Sequence, residues 1–443
     1  MSAAALFISL LIIILLSASK LRHSAMPLML SLGFWGALFF FYVINPVQFI
    51  PIGIDAFVFM LCCFCLYASG YYIGIIGIKR EFKYHVLAEL GFDDGRATKA
   101  FLFFLFIFLL IFYFRVNILK SQLGNIIYLI NDPYLIREES VYHGFDKGLL
   151  IYILEQFILP ASFFIIAFIN KSGVRFKIYA IILFMEIIMI QLTTMSRGLI
   201  IYSILVIITL YLIQQKSNSI YLKRIKNVTI IISVSFVFLF SINLIRSHEG
   251  AVARYSLIAT SFRSWVPDRF INNDFFLDTV EILRYINCGI YGFAKYTEKG
   301  IPESSYRFGA ISFSGALKLL TPFNIVNQEK LFSVKDYELV MRPTFTVVYT
   351  FFREQYEDFG LIGTLSLHFL WGLILGLSFR KYLKSPSYRG LIIPATLTVW
   401  YMYGAFVMQT VFTISFTSPF IAYLVMTAVE KRRFKTYRKS IEV

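Results

Sequence analysis

Apolar runs of about 17–25 residues recur along this chain, the length a helix needs to cross a hydrocarbon layer of about 30 Å. Eleven candidates can be marked: Ala3–Ser17, Ala25–Val43, Gly53–Gly77, Ala100–Val116, Leu149–Ile169, Ile178–Thr194, Leu199–Ile213, Val228–Leu244, Gly360–Phe379, Leu391–Met408 and Val411–Val429. Several are short or tightly joined. With 58% hydrophobic residues, 15% charged residues and a mean hydropathy of +0.71, the chain lies outside the soluble range. Runs this long also exclude a collagen, a disulfide scaffold, a disordered tail and a nucleic-acid binder. The expected fold class is an all-α polytopic membrane protein with about eleven transmembrane helices.

The few charges fall between the spans, and their distribution sets an orientation. Connections around Lys20, Lys79, Lys171, Lys216, Arg380 and the tail after Lys431 hold 24 basic residues against six acids. The rest of the chain has 18 basic residues against 20 acids, so the whole +16 excess lies on one side. That side is expected to be the cytoplasm, and the basic balance to report anionic lipid head groups, with no nucleic-acid partner. Met1 is then outside and Val443 inside. The first run lacks a basic leader and reads as a retained span, not a signal peptide. Cys62, Cys63 and Cys65 share one span and only Cys288 lies elsewhere, so no disulfide framework is available.

The resulting organisation is residues 1–244 as about eight N-terminal spans, 245–359 as a large outer segment, and 360–443 as about three spans with a basic cytoplasmic tail. A smaller outer segment, 117–148, contains an Ile126–Ile130 patch suited to the interface. The large one, Ile245–Phe359, has 13 basic and 13 acidic residues. Within it, Ser312–Val326 and Pro343–Phe352 are too short to span and read as interfacial or re-entrant helices. A loop of this length points to function. The inner connections have no GxxxxGK[ST] and no strand–GxGxxG–helix context, which argues against nucleotide chemistry there. No duplicated halves or paired Gly/Pro-broken helices suggest a secondary transporter.

Arginines recur where spans meet the outside: Arg115, Arg197, Arg246, Arg342 and Arg353. A guanidinium fork matches phosphate oxygens, so several of these could converge on a diphosphate at the outer boundary. The competing role is snorkelling or fixing helix depth, favoured for Arg115. Arg197, between two spans with almost no loop, is the better functional candidate. Arg246 and Arg353 lie close to Glu249, Glu354, Glu357 and Asp358, where salt-bridge networks compete with function. Glu155 and Glu186 lie deeper, as proton-relay groups or as hydrogen-bonded braces between helices. The histidines show no metal spacing, so no metal and no other cofactor is expected; only His248 is beside a plausible reaction face.

Two elements resemble oligosaccharide repeat-unit polymerases of the O-antigen (Wzy) type. Thr194-Met195-Ser196-Arg197-Gly198 is similar to their TxSRG-like element. Val348-Tyr349-Thr350-Phe351-Phe352-Arg353, continuing to Asp358-Phe359-Gly360-Leu361-Ile362-Gly363, is similar to their VYTxF…DFGxxG stretch. The likeness spans the chain in architecture and about twenty residues in motif. Arg137 to Gly148 also fits an RX10G spacing in the smaller outer segment; the large one has no such match.

The resemblance implies a GT-C-like membrane glycosyltransferase of the bacterial inner membrane. It would move a growing glycan from undecaprenyl diphosphate onto another undecaprenyl-diphosphate-linked repeat unit on the periplasmic face. Donor, acceptor and membrane lipids are the expected partners, with a chain-length regulator as a further candidate. Arg197, Arg246 and Arg353 would stabilise the leaving diphosphate, and Glu249, His248 or Asp358 would accept the acceptor's proton. Arg342, Tyr349, Tyr356 and Arg137 are expected substrate contacts. Asp358 has a second reading, as the cap of the ninth span. The stretch Ile44–Ile52 has no acid, which favours a metal-independent route. The alternatives are an O-antigen ligase, a flippase or transporter for lipid-linked oligosaccharides, and a non-catalytic organiser of a polysaccharide complex.

Overall fold

Only helices and closed barrels satisfy every backbone group in lipid, and the computed structural model of this chain is almost wholly helical where it describes it. The described residues are 2–47, 52–76, 93–123, 148–171, 173–192, 198–214, 262–271, 273–298, 309–317, 338–341, 344–346, 350–405 and 413–430. The first helices are α1 (Ser2–Leu21), α2 (Met26–Ile44), α3 (Ile54–Ile75), α4 (Asp94–Leu123), α5 (Gly148–Glu155), α6 (Ile158–Asn170), α7 (Val174–Leu192) and α8 (Gly198–Ile213). Then come α9 (Asp268–Ile271), α10 (Asp274–Glu298), α11 (Ser314–Leu317), a hairpin of β1 (Glu338–Met341) and β2 (Thr344–Thr346), α12 (Phe351–Lys384), α13 (Tyr388–Tyr403) and α14 (Thr413–Val429). Five helical stretches are long and apolar enough to cross a membrane: Met26–Ile44, Ile54–Ile75, Asp94–Ser121, Ile153–Asn170 and Phe351–Lys384. Ala3–Ser17, Leu199–Ile213 and Ser415–Val429 are shorter apolar helices. The chain is an α-helical, membrane-embedded protein.

Its central contact is between α3 and α12. Gly70 and Gly74 on α3 face Gly372 and Gly376 on α12, two GxxxG pairs set against each other. A Cβ on Gly372 would lie 2.0 Å from the Tyr67 carbonyl oxygen, and one on Gly70 2.1 Å from that of Phe369. Small residues let backbones approach this closely, so dispersion contacts replace the hydrophobic drive that lipid does not supply.

The basic connections meet at one end of the bundle. Asp94, at the start of α4, takes both Lys171 from the α6–α7 connection and Arg175 from the first turn of α7. Arg96 donates to the Ala428 carbonyl in the last turn of α14, at 3.3 Å. Arg389 lies 3.6 Å from Glu430, whose other oxygen accepts the Tyr388 N–H.

Several expectations need correction. The fifth span has a turn at Gln156 and Phe157, where α5 passes into α6, and Ile153–Asn170 runs through it at a length that can cross a membrane. Its polar Gln156 is buried there and accepts from Thr417 at 2.7 Å. The segment expected to form a helix over Pro343–Phe352 instead contributes β2, because Thr344-Phe345-Thr346 suits a strand. Of Ser312–Val326, the described part holds one helical turn, α11. Within residues 245–359, α10 is a 25-residue helix whose stripe of Phe276, Leu277, Val280, Leu283, Ile290, Tyr291 and Ala294 has helical spacing. The eighth span, the Ile126–Ile130 patch and the basic tail lie outside the described residues.

Candidate functional site

The helix containing the ninth span begins before it and reverses. Gly360 has φ 64° and ψ −168°, a conformation open in practice only to glycine, and it interrupts α12. On a straight helix Phe352 and His368 would be roughly 24 Å apart at 1.5 Å per residue. Their rings instead stack with centroids 5.2 Å apart and planes within 14°. Residues 351–359 therefore fold back as an arm against residues 361–384. Phe352 also meets Phe64, at the middle of α3, so the arm's start lies about half-way down that helix.

The arm's seat is aromatic. Phe351 packs on Trp35 and Tyr401, and its N–H donates to the Gly404 carbonyl at 2.8 Å. A Cβ on Gly404 would meet the Phe351 ring at 2.6 Å, so the end of α13 must be glycine to admit it. Beneath, His368 is fully buried and its Nδ1 is 3.0 Å from the Tyr401 hydroxyl.

Above this seat the arm carries Arg353-Glu354-Gln355-Tyr356-Glu357-Asp358, six polar residues lowered among the helices. Arg353, Glu354, Gln355 and Asp358 are buried, while Tyr356 and Glu357 are partly exposed. The Arg353 Nε donates to Glu357 Oε1 at 2.7 Å, and its guanidinium lies over the Tyr296 ring, 5.0 Å from the centroid. Stacking and the carboxylate together fix the plane of the fork. Burial, and then the Glu357 charge, push the Tyr296 phenol well above its ordinary range. Tyr356 meets Phe59 edge-on.

Asp358 does not cap the span that follows it. Its carboxylate accepts the backbone N–H groups of Ile311, at 3.1 Å, and Ser312. It thus holds the turn leading into α11. Phe359 packs against Phe313, and a Cβ on Gly363 would fall 2.5 Å from the Phe359 Cβ. The DFGxxG stretch thereby gains a physical meaning: the acid ties down a distant turn, the phenylalanine wedges beside it, and the glycines permit the reversal.

Of the residues expected at a site, the structure brings Arg353, Tyr356 and Asp358 together on this arm. Arg137, Arg197, Arg246, His248, Glu249, Arg342 and Tyr349 lie outside the described residues. Arg115 belongs elsewhere, and it does not snorkel. The fourth helix continues past it to Leu123, and Arg115 is buried, donating to Glu155 through Nε at 3.0 Å and Nη2 at 2.7 Å. It also donates to the Ile190 carbonyl in the last turn of α7, where a helix leaves acceptors unsatisfied. Arg115 thus joins α4, α5 and α7, and Glu155 is a brace between helices.

Sequence reasoning missed Tyr296 and the buried Asn287 of α10. Asn287 is fully buried, and among the described residues neither polar atom of its side chain has a hydrogen-bond partner. Its signal was present: a carboxamide between Leu283 and Ile290 interrupts an otherwise apolar stripe. Among the described residues, no three His, Cys, Asp or Glu side chains are grouped to hold a metal.

No family model, curated protein or solved structure matches the chain.

Proposed function

We propose that this protein is a membrane glycosyltransferase that polymerises undecaprenyl-diphosphate-linked repeat units into O-antigen polysaccharide. The observation that carries the reading is the polar arm from Arg353 to Asp358, sunk from one end into an apolar bundle and built on the stretch that resembles the polymerases. A substrate with a polyprenyl tail and a sugar head requires charged chemistry beside lipid, and the arm supplies it there. The finer picture is part of the proposal: about eleven spans in a GT-C-like arrangement within the bacterial inner membrane. Its N-terminus is periplasmic, its basic C-terminus is cytoplasmic, and residues 245–359 form a periplasmic segment whose last residues are the arm. A chain-length regulator is a proposed partner.

In this reading a hydroxyl of the acceptor unit attacks the anomeric carbon of the donor glycan. The bond from that carbon to the diphosphate oxygen breaks, undecaprenyl diphosphate leaves, and the hydroxyl proton passes to a base. Arg353, with Arg197 and Arg246, offsets charge growing on the diphosphate; losing one such contact typically costs about 10²–10³ in rate. Tyr356, with Tyr349, Arg342 and Arg137, positions the sugars. Both oxygens of Asp358 are engaged by the Ile311 and Ser312 N–H groups, so in this reading the proton passes to His248 or Glu249.

The test is the chain-length distribution of surface glycan in cells lacking the gene and in cells carrying Arg353→Ala. Single-repeat products in both, with the variant inserted at normal level, support the reading. Full-length polymer in the Arg353 variant removes the arm from the chemistry. Loss of all transported units in the deletion strain would indicate a flippase instead.

A further inference from the structure

The segment before α10 is pinned to the membrane end of α2. Val47 and Phe262 form an antiparallel bridge, and the Arg263 N–H donates to the Pro46 carbonyl at 2.8 Å. The Arg263 side chain donates to the Val43 carbonyl at 3.1 Å, an acceptor that the ending helix leaves open, and to the Val47 carbonyl just beyond it at 3.4 Å. Phe262 and Phe270 both pack on Phe276, so the described residues 262–271 and 273–276 form a braced ledge. Val266 and Leu277 are buried against the protein. On the other side, Trp265 is 58% exposed and Phe275 70% exposed, with Phe270 also exposed. Arg269 is exposed too, its guanidinium 5.0 Å from the Phe270 ring centroid.

Three outward aromatic side chains on a braced segment are expensive in water, and the segment is pinned beside helix ends that are themselves apolar. The neighbouring end of α2 exposes Phe40 and Ile44, and the start of α3 exposes Ile54. Those residues sit on helices that cross the membrane, so the ledge meets the lipid-facing surface at its rim. Tryptophan favours this zone, where an apolar ring and a polar N–H are both accommodated, and an arginine beside it reaches phosphate.

We propose that the 262–276 ledge is a membrane-interface anchor, with Trp265, Phe270 and Phe275 inserted at the boundary between lipid head groups and acyl chains. This part of the large outer segment lies down on the bilayer instead of standing in water. It fixes the start of α10 at a set height, and α10 in turn carries Tyr296 to Arg353. The inference concerns only how the chain meets lipid and does not depend on the glycosyl-transfer reading.

The test uses the full-length protein in phosphatidylcholine vesicles whose lipids carry bromine either near the head-group end of the acyl chain or near its terminal methyl. Tryptophan emission of the wild type is compared with that of Trp265→Phe, and the difference isolates Trp265 from the other three tryptophans. The expected difference spectrum is blue-shifted from that of exposed tryptophan and loses more intensity to shallow bromines than to deep ones. Quenching by aqueous iodide with no effect of either brominated lipid would overturn the proposal. Shielding from all three quenchers would also overturn it, and would assign the ledge to a second copy or another protein.

Discussion

Two buried arginines in this protein do different things, and substitution separates them. Arg115 is paired with Glu155 and caps α7, so Arg115→Ala strands a carboxylate among apolar helices and is expected to cost about 3–5 kcal/mol. Replacing both partners, Arg115→Met with Glu155→Leu, should recover most of that loss in thermal melts of the detergent-solubilised protein. Arg353 is also paired, with Glu357, but it sits on the polar arm. Arg353→Lys keeps the charge and loses the planar fork. It is expected to leave the melting temperature within a few degrees of wild type while abolishing long-chain glycan. At the basic end, burial holds the Glu430 carboxyl above its ordinary value of 4.5, although the Tyr388 N–H and Arg389 pull it partly back. The fold therefore favours the protonated form, and stability is lost as the pH rises from that ordinary value through the raised one. Glu430→Gln should melt like wild type at pH 4 and hotter than wild type at pH 7.

At the scale of elements, glycine decides the architecture twice. Gly360→Ala places a side chain at a positive φ and is expected to cost about 1–3 kcal/mol, read as a lower melting temperature, while destroying the reversal that seats the arm. Gly372→Leu should be worse. Its side chain would collide with the Tyr67 backbone, driving α3 from α12, and protease protection of the bundle should fall sharply. The apolar helices were legible because lipid demands apolar length: ten of the eleven marked runs fall on described helices, and five of those stretches are long and apolar enough to cross a membrane. What composition could not reveal was direction. Arg353 to Asp358 reads as a polar stretch outside the membrane, since no local rule places six such residues within a bundle. Only the contacts of Phe351 and Phe352 with Trp35, Phe64 and His368 show that it turns inward. Asp358 was similarly opaque, because its partners lie 46 and 47 residues earlier in the chain. The two GxxxG pairs were visible in the sequence and needed only to be set facing each other.

For the molecule as a whole, basic residues are found toward both ends. Arg96, Lys171, Arg175 and Arg389 gather at one, while Arg263 and Arg353 lie toward the other. Cysteines introduced as Arg175→Cys and Asp268→Cys should react with an impermeant thiol reagent from opposite faces of sealed vesicles. Labelling of both from one face would refute the orientation. The hairpin made by Gly360 has a geometric corollary. A helix turns by about 100° per residue, so one residue inserted between Phe351 and Asp358 would rotate part of the arm away from its partners. The same insertion would change the vertical offset between the aromatic seat and the Asp358 clamp by about 1.5 Å. The arm is thus a ruler fixed at both ends, and evolution can vary its letters more freely than its count.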